Sequence, residues 1–416
     1  MTEADHLPAR VDVLIVGSGH AGAQAAIALR QAKFDGDILM LGDESELPYE
    51  RPPLSKDYLL GRKTFDRMLI RKGEFWAERE ISIAGGMRVA AIDPAAHRVR
   101  TESGKDVGYG KLIWATGGRP RSLTCDGGDL DGVFTVRTRT DVDAMLAHLG
   151  DTRRICIVGG GYIGLEAAAA LRSLGKEVVL LEALERVLSR VAGAELSTFY
   201  QDQHRAEGVD LRLSASVVRI HGEGGVVAGV ELADGSAIDC EMVIVGIGIV
   251  PEVEPLLNAG AVGGNGVRVD DQCRTSLPDV FAIGDCALHE NRFAGGQEVR
   301  VESVQNANDM ANVAARTIAG LNARYDATPW FWSDQYDLKL QTVGISTGHD
   351  QVVMRGDPRD RSFALVYLRD GHVIALDCVN RPRDFVQGRK LVELEIAPDP
   401  DLLGDADRAL KDLLPG

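Results

Sequence analysis

One arrangement, a strand followed by a glycine-rich turn, a helix and a second strand ending in an acid, occurs twice in this chain. The first copy contains Gly17-Ser18-Gly19-His20-Ala21-Gly22, and the second contains Gly159-Gly160-Gly161-Tyr162-Ile163-Gly164, about 140 residues later. In each copy the turn follows a short apolar run and opens an alanine-rich stretch. This context predicts two βαβ units that bind dinucleotides, whereas a single Gly-x-Gly-x-x-Gly would be a weak signal.

The chemistry of each unit follows from its residue types. The glycines permit a tight turn and let a pyrophosphate approach the helix N-terminus, where backbone N–H groups favour anions. After the first copy, Asp43 or Glu44 can accept a hydrogen bond from a ribose hydroxyl. After the second copy, Glu182 favours NADH over NADPH because a carboxylate repels a 2′-phosphate, although Arg186 and Arg190 follow it.

Two dinucleotide sites in one chain indicate FAD and a nicotinamide dinucleotide that reduces it. Asp285 supports FAD, because it follows the apolar run Val280–Ile283 and its carboxylate can accept from ribityl hydroxyls. From about Pro329 the pattern changes to the alternation of antiparallel strands, with a helix expected near Asp384–Glu393. The sequence therefore predicts an α/β fold with two Rossmann-like domains of the glutathione-reductase type and a C-terminal α+β domain. The predicted boundaries are 1–116 and 247–326 for FAD, 117–246 for NAD and 327–416 for the third domain.

Composition excludes several other classes of protein. A net charge of −16 argues against a broad nucleic-acid or anionic membrane surface. The six cysteines form no CxxC or CxxxxC pair, which argues against a redox dithiol and a cysteine zinc site, so we expect no metal. The polar N-terminus is unlike a signal peptide, and the longest apolar runs are far below the ~20 residues of a membrane span. We therefore expect a cytoplasmic protein.

The chain resembles the FAD-dependent ferredoxin reductases of bacterial oxygenase systems, the putidaredoxin reductase family, over nearly its whole length. The residues that carry this resemblance are Gly17 through Gly22, Arg51-Pro52-Pro53-Leu54-Ser55-Lys56, Ala115-Thr116-Gly117-Gly118-Arg119-Pro120-Arg121, Gly159 through Glu166, Ile283-Gly284-Asp285-Cys286, Glu302-Ser303-Val304-Gln305-Asn306-Ala307 and Trp330-Phe331-Trp332-Ser333-Asp334-Gln335. The runs at Arg51 and at Trp330 are the most specific. The two glycine motifs alone would also fit disulfide reductases, rubredoxin reductases and apoptosis-inducing factor.

The resemblance implies functional residues. It implies FAD contacts at Ala21, Asp43, Lys56, Val89, Asp285 and Val304. It also implies a Lys56–Glu166 pair beside the flavin, and a buried lysine independently requires such a partner. Our other candidates for cofactor contact are Gly17, Gly19, Gly22, Arg51, Ala115, Thr116, Gly117, Arg121, Trp330, Gly159, Gly161, Tyr162, Ile163, Gly164, Glu182, Arg190 and Gly248.

The expected activity is transfer of electrons from NADH through FAD to a 2Fe–2S ferredoxin that feeds a cytochrome P450 or a ring-hydroxylating dioxygenase. Ferredoxins of this kind are acidic, so docking on an acidic reductase requires a local basic patch, for which Arg316, Lys339 and Arg355 are candidates. The alternatives are a rubredoxin reductase, an NADH oxidase, or an NADH-sensing interaction protein like apoptosis-inducing factor. We expect a monomer or a weak homodimer.

Overall fold

A computed structural model describes residues 7–415 of the chain. These residues divide into two compact units, each built from three stretches of sequence. The first unit contains residues 7–50, Phe65–Arg119 and Val250–Trp330, and the second contains Arg51–Thr64, Pro120–Ile249 and residues 331–415. Gly118–Pro120 and Ile249–Pro251 form a two-stranded sheet.

The first unit is built on a mostly parallel seven-stranded sheet. Arg10–Val16 is central because its apolar, β-branched residues are buried on both faces, as in other parallel sheets. It pairs in parallel with Ile38–Leu41 and with Asp106–Trp114, so that Val16 lies between Leu41 and Trp114. The remaining strands of the sheet are Ile81–Ala84, Val89–Asp93, Arg98–Thr101 and Val280–Ala282.

Two long helices of the first unit, His20–Gln31 and Val304–Ile318, pack against each other. Alanines line the buried side of both helices, so their backbones can approach closely. The other helical segments of this unit are Phe65–Arg67, Gly73–Ala77, Glu254–Asn258, Gly284–Cys286 and Arg292–Ala294. A smaller sheet contains Gly263–Gly264, Gly266–Arg268, Ala287–Asn291 and Gln297–Val299.

The second unit repeats the parallel architecture on a five-stranded sheet. Its strand order is Asp210–Arg212, Glu177–Leu181, Arg154–Val158, Met242–Val245 and Val133–Thr135. A three-stranded antiparallel sheet consists of Val217–Glu223, Val226–Leu232 and Ala237–Asp239. The helical segments are Pro52–Ser55, Arg139–Leu149, Tyr162–Ser173 and Ala194–Ala206.

The C-terminal part of the second unit is an antiparallel sheet with helices after it. The strand order is Trp330–Gln335, Leu338–Gly344, His372–Val379, Ser362–Arg369 and Gln351–Asp357. Its helical segments are Pro358–Asp360, Pro382–Glu393, Pro400–Gly404 and Leu410–Leu413. None of the helices within residues 7–415 is both long and apolar enough to cross a membrane.

The predicted α/β fold class is confirmed, with small differences at element boundaries. The C-terminal helix begins at Pro382 rather than Asp384, since proline is well tolerated in a first helical turn. Asp285 lies in the single helical turn Gly284–Cys286 that follows the strand Val280–Ala282. Glu166 is the fifth residue of its helix, at the start of the second turn.

Candidate functional site

The first glycine motif forms a cradle that only glycine allows. Gly17 follows the central strand with a φ of +109°, a backbone conformation that disfavours any side chain. A Cβ on Gly17 would lie 2.3 Å from the carbonyl oxygen of Ala115, and one on Gly22 would lie 1.9 Å from that of Gly17. The turn and the helix therefore approach the sheet as closely as a dinucleotide cradle requires.

The helix that follows this turn offers its N-terminus to an anion. Gly19 is the N-cap of His20–Gln31 and provides no capping side chain, and no acid lies in the first turn. First-turn N–H groups and the positive end of the helix dipole are therefore available to a phosphate. These features fit the pyrophosphate of a dinucleotide.

The predicted Asp285 and Val304 belong to elements that converge on the same helix. A Cβ on Gly284 would lie 3.1 Å from the Cβ of Ala21, so the turn that carries Asp285 lies against the start of His20–Gln31. The hydroxyl of Ser303 accepts a hydrogen bond from the Asn306 N–H at 3.1 Å, which caps the helix that begins at Val304. The structure thus brings the predicted Ala21, Asp285 and Val304 to one region of the first unit.

The other candidates for FAD contact in this unit lie on surrounding strands and loops. Asp43 is 56% exposed and lies 3.7 Å from Arg88, between its Oδ2 and a guanidinium nitrogen. Val89 is buried at the start of its strand. The Thr116 hydroxyl donates to the carbonyl oxygen of Glu252 at 2.7 Å, and the Trp330 N–H donates to Gln305 Oε1 at 3.2 Å.

The second glycine motif repeats the geometry of the first in the second unit. Gly159 has a φ of +113°, and a Cβ there would lie 2.4 Å from the carbonyl oxygen of Gly246. A Cβ on Gly164 would lie 2.0 Å from the Gly159 carbonyl oxygen. A Cβ on Gly161 would meet no protein atom within 4 Å, so the space in front of the helix N-terminus is open. That space fits a second dinucleotide.

Glu182 is held against this cradle by two backbone hydrogen bonds. Its Oε2 accepts from the Gly160 N–H at 2.7 Å, and its Oε1 accepts from the Leu184 N–H at 2.9 Å. Arg186 donates to the Ala192 carbonyl oxygen and to the Ser197 hydroxyl, so it is committed to the loop that follows. Arg190 is exposed. The carboxylate, rather than an arginine, is the charged group fixed at the turn.

The remaining candidates of the second unit lie near the ends of these elements. Gly248 has a φ of +95° and accepts a hydrogen bond from the Arg121 N–H at 2.9 Å. Ile163 is 43% exposed, while the ring of Tyr162 lies 4.7 Å from that of Phe331, centroid to centroid. Arg51 donates to the Arg137 carbonyl oxygen at 2.7 Å.

Lys56 and Glu166 form an ion pair inside the second unit, with 2.9 Å between Nζ and Oε1. The turn Pro52–Ser55 fixes the approach of Lys56, since its two prolines restrict the backbone. Glu166 is only 4% exposed. It also accepts hydrogen bonds from Ser333 on Oε1 and from Ser55 on Oε2, both at 2.7 Å. The sequence predicted the pair but not the two serines.

Opposing influences act on the Glu166 carboxyl. Burial raises its pKa above the ordinary value, while Lys56 and the two serine hydroxyls lower it. Because burial is the largest of these effects, the carboxylate depends on all three donors to remain charged. Removing one of them leaves a buried charge short of a partner.

The three arginine and lysine candidates for docking differ in exposure. Arg316 and Lys339 are exposed. Arg355 is fully buried and donates to the carbonyl oxygens of Asp405 and Arg408, at 2.8 and 2.9 Å. The prediction that Arg355 belongs to a docking surface is therefore wrong, because this guanidinium holds the C-terminal segment from inside.

Comparison with known proteins identifies the family. Residues 11–311 match the pyridine nucleotide-disulphide oxidoreductase family, and residues 330–414 match the reductase C-terminal family. The chain belongs to the pyridine nucleotide-disulphide oxidoreductase family. As predicted, FAD and NAD(P)H are the cofactors of this oxidoreductase, and its two cradles fit them.

Relatives and solved structures show which kind of reductase within the family this chain resembles. It is 62% identical to the 5,5'-dehydrodivanillate O-demethylase ferredoxin reductase subunit of Sphingobium sp., over 97% of this chain and 98% of the relative. The ferredoxin reductase for the CYP199A2 system of Rhodopseudomonas palustris superposes with a TM-score of 0.93 at 40% identity, covering 97% of this chain and 99% of that one. A covalent putidaredoxin reductase–putidaredoxin complex superposes with a TM-score of 0.94 at 36% sequence identity, covering 97% of this chain and 98% of that one. The predicted resemblance is confirmed: this is a ferredoxin reductase.

Proposed function

We propose that this reductase oxidises NADH and reduces a 2Fe–2S ferredoxin that supplies an oxygenase. The overall reaction balances as NADH and two oxidised ferredoxins giving NAD⁺, a proton and two reduced ferredoxins. Bound FAD supplies the conversion between a two-electron donor and a one-electron acceptor. The residues of this chain bind the two dinucleotides, hold the charged pair and select the donor.

The observation that carries the proposal is the position of Glu166 on the helix of the second cradle. That helix begins at Tyr162, directly after the glycine turn, and Glu166 is its fifth residue. The ion pair with Lys56 therefore lies about one helical turn from the predicted nicotinamide dinucleotide cradle. A fixed positive charge at that position favours charge that develops on a reduced cofactor. Lys56 and Glu166 are accordingly the proposed catalytic pair.

The preference for NADH rests on Glu182. Its carboxylate is fixed by the Gly160 and Leu184 N–H groups at the turn where an adenosine ribose is expected. A 2′-phosphate there would meet a negative charge, and the Arg186 guanidinium is engaged by the Ala192 carbonyl oxygen and the Ser197 hydroxyl. The contacts to FAD and NADH predicted from the sequence are proposed as a whole on the same basis.

A ferredoxin as direct acceptor is consistent with the cysteines. All six are free and five of them are buried, among them Cys156 and Cys240, whose thiols hydrogen-bond to each other, so the described residues hold no exposed thiol pair that could pass electrons to a protein partner. The ferredoxin reductase subunit of an O-demethylase and the reductase for a P450 system are similar over nearly their whole length. We therefore propose an oxygenase as the final consumer of the electrons.

Three further predictions remain proposals. The boundaries 1–116 with 247–326, 117–246 and 327–416 are proposed for the FAD, NAD and C-terminal domains. A cytoplasmic location is proposed from the sequence, as is a monomer or weak homodimer.

An anaerobic spectral titration tests the function. NADH and NADPH are added separately to the FAD-loaded protein, and an oxidised 2Fe–2S ferredoxin follows. We expect one equivalent of NADH to bleach the flavin, NADPH to bleach it poorly, and ferredoxin to restore it. Recovery with rubredoxin or oxygen but not with ferredoxin would instead support a rubredoxin reductase or an NADH oxidase. Slow recovery with every acceptor, together with NADH-dependent dimerisation, would support an NADH-sensing protein.

A further inference from the structure

A line of buried hydrogen bonds leads away from Glu166 through residues that the proposed function does not use. Ser333 donates to Glu166 Oε1 at 2.7 Å, and Gln335 Nε2 donates to the Ser333 hydroxyl at 3.2 Å. His204 Nε2 lies 2.9 Å from Gln335 Oε1. All four side chains are at most 4% exposed. Buried polar groups of this kind are costly unless each one has a partner.

The line arises because alternate side chains of one strand face two helices. Phe331, Ser333 and Gln335 point to the same face of the strand Trp330–Gln335, because side chains alternate along a strand. Phe331 packs on Tyr162 and Ser333 reaches Glu166, two residues that lie on one side of the helix Tyr162–Ser173.

Gln335 extends the line from this strand to the helix Ala194–Ala206, where it contacts His204. One face of the strand therefore connects the helix Tyr162–Ser173 to the helix Ala194–Ala206. This contact gives the specific run from Trp330 to Gln335 a physical role.

The direction of every hydrogen bond in the line is determined. Burial lowers the pKa of His204 to about 4, so its ring is neutral near pH 7. Because the Gln335 amide nitrogen donates to Ser333, its Oε1 accepts, and the proton of His204 must be on Nε2. His204 Nδ1 then accepts from the Tyr336 hydroxyl at 3.1 Å. All donors in the line therefore point towards Glu166.

We propose that Ser333, Gln335 and His204 are positioning residues that fix Glu166 in its ion pair with Lys56. A serine hydroxyl can rotate, and the N–H of Gln335 occupies its acceptor side, which directs its proton to the carboxylate. His204 in turn fixes the orientation of the Gln335 amide. The inference rests on the proposed function, because it assigns a task to the surroundings of the proposed catalytic pair.

Kinetics of the FAD-loaded enzyme test the inference. In Gln335→Met the donor to Ser333 is lost while the side-chain volume is nearly kept. We expect the rate of flavin reduction by saturating NADH to fall about tenfold, because a Ser333 hydroxyl that is free to rotate no longer holds its hydrogen bond to the charged Glu166 carboxylate, with the half-saturating NADH concentration unchanged. His204→Leu is expected to act in the same direction. His204→Gln, which keeps a donor near the Nε2 position, is expected to recover most of the rate.

A matched control separates positioning from general damage to the fold. Thr152→Val removes another hydrogen bond of the second unit, from the buried Thr152 hydroxyl to the His148 carbonyl oxygen, without touching the line. It should leave the rate of flavin reduction at the wild-type value. FAD content and thermal midpoint are measured for every variant, so that a rate is compared only between loaded, folded proteins.

A spectroscopic measurement on the wild-type protein does not depend on any variant or on activity. In protein labelled with ¹⁵N at histidine, we expect His204 to be neutral and protonated on Nε2. A proton on Nδ1, or a wild-type rate in loaded Gln335→Met and His204→Leu, would overturn the inference.

The rate of flavin reduction in Glu166→Gln distinguishes failure of the positioning role from failure of the proposed catalytic pair. If it is slow while Gln335→Met is fast, only the positioning role fails; if both are fast, the proposed catalytic pair fails as well.

Discussion

Gly164 lies so close to Gly159 that a Cβ on Gly164 would be 2.0 Å from the Gly159 carbonyl oxygen. The same relationship holds between Gly22 and Gly17, where the distance would be 1.9 Å. In both cradles the third glycine is thus required by the protein's own packing. Gly161 differs, because a Cβ there would meet no protein atom within 4 Å. The glycines of one motif therefore serve folding and ligand binding separately.

Alanine substitutions should separate these two roles. Gly161 has a φ of −78°, which alanine adopts without strain, so Gly161→Ala should leave the thermal midpoint unchanged. Its methyl group enters the space open to the dinucleotide, and we expect the KM for NADH to rise about tenfold. Gly164→Ala should lower the thermal midpoint instead. Equal loss of stability in both variants would contradict this division.

Asp377 makes stability depend on pH. Its carboxyl is buried beneath Tyr367, whose hydroxyl donates to it at 2.6 Å, and burial raises its pKa to about 7, although Tyr367 and His349 act in the opposite direction. The folded protein therefore keeps this proton at pH values where the unfolded chain has lost it. Stability should fall as the pH rises from the ordinary aspartate range to about 7, and level off above that.

Asp377→Asn removes this pH-dependent cost while keeping an acceptor for Tyr367. We expect its thermal midpoint to exceed that of the wild type by about 5 °C at pH 8, and by less than half as much at pH 5. The exposed Asp407, changed to asparagine, is the control and should show neither effect. A gain that is the same at both pH values would point to packing rather than ionisation.

The parts of the site that could be predicted from sequence are those with a local cause. The φ of +109° at Gly17 and of +113° at Gly159 arises within a few residues of each turn, so the glycine spacing reveals it. The Lys56–Glu166 pair was predicted because both residues lie in runs that resemble a known family, and a buried lysine requires a partner.

Long-range contacts left no comparable signal in the sequence. Ser333 reaches Glu166 across 167 residues, and Gln335 reaches His204 across 131. For Arg355 the sequence predicted a surface charge that the structure does not have. Its guanidinium is buried and enclosed by the backbone carbonyl groups of the C-terminal segment. Which charges are buried is decided by tertiary packing, and local composition does not encode it.

Reversing an exposed charge tests the docking surface. Lys339 is exposed and its side chain lies outside both cradles, so Lys339→Glu should not alter NADH oxidation with ferricyanide as acceptor. If Lys339 belongs to the surface that meets an acidic ferredoxin, ferredoxin reduction should slow several-fold at low salt and less at high salt. Arg316→Glu is tested in parallel. Equal loss with both acceptors would contradict a docking role.

Glu182 provides the sharpest test of the choice between NADH and NADPH. In Glu182→Gln the side-chain oxygen can still accept from the Gly160 N–H, whereas the amide nitrogen cannot accept from the Leu184 N–H, so the turn keeps one of its two contacts to this side chain. The negative charge is lost, and with it the repulsion of a 2′-phosphate and the strong acceptor for a ribose hydroxyl. We expect kcat/KM for NADH to fall about tenfold and kcat/KM for NADPH to rise, both measured with ferricyanide as acceptor.

Glu185, which is exposed nearby, provides the control for net charge. Glu185→Gln should leave the ratio of kcat/KM for NADH to kcat/KM for NADPH unchanged. An unchanged ratio in Glu182→Gln would mean that donor selection lies elsewhere in the second unit.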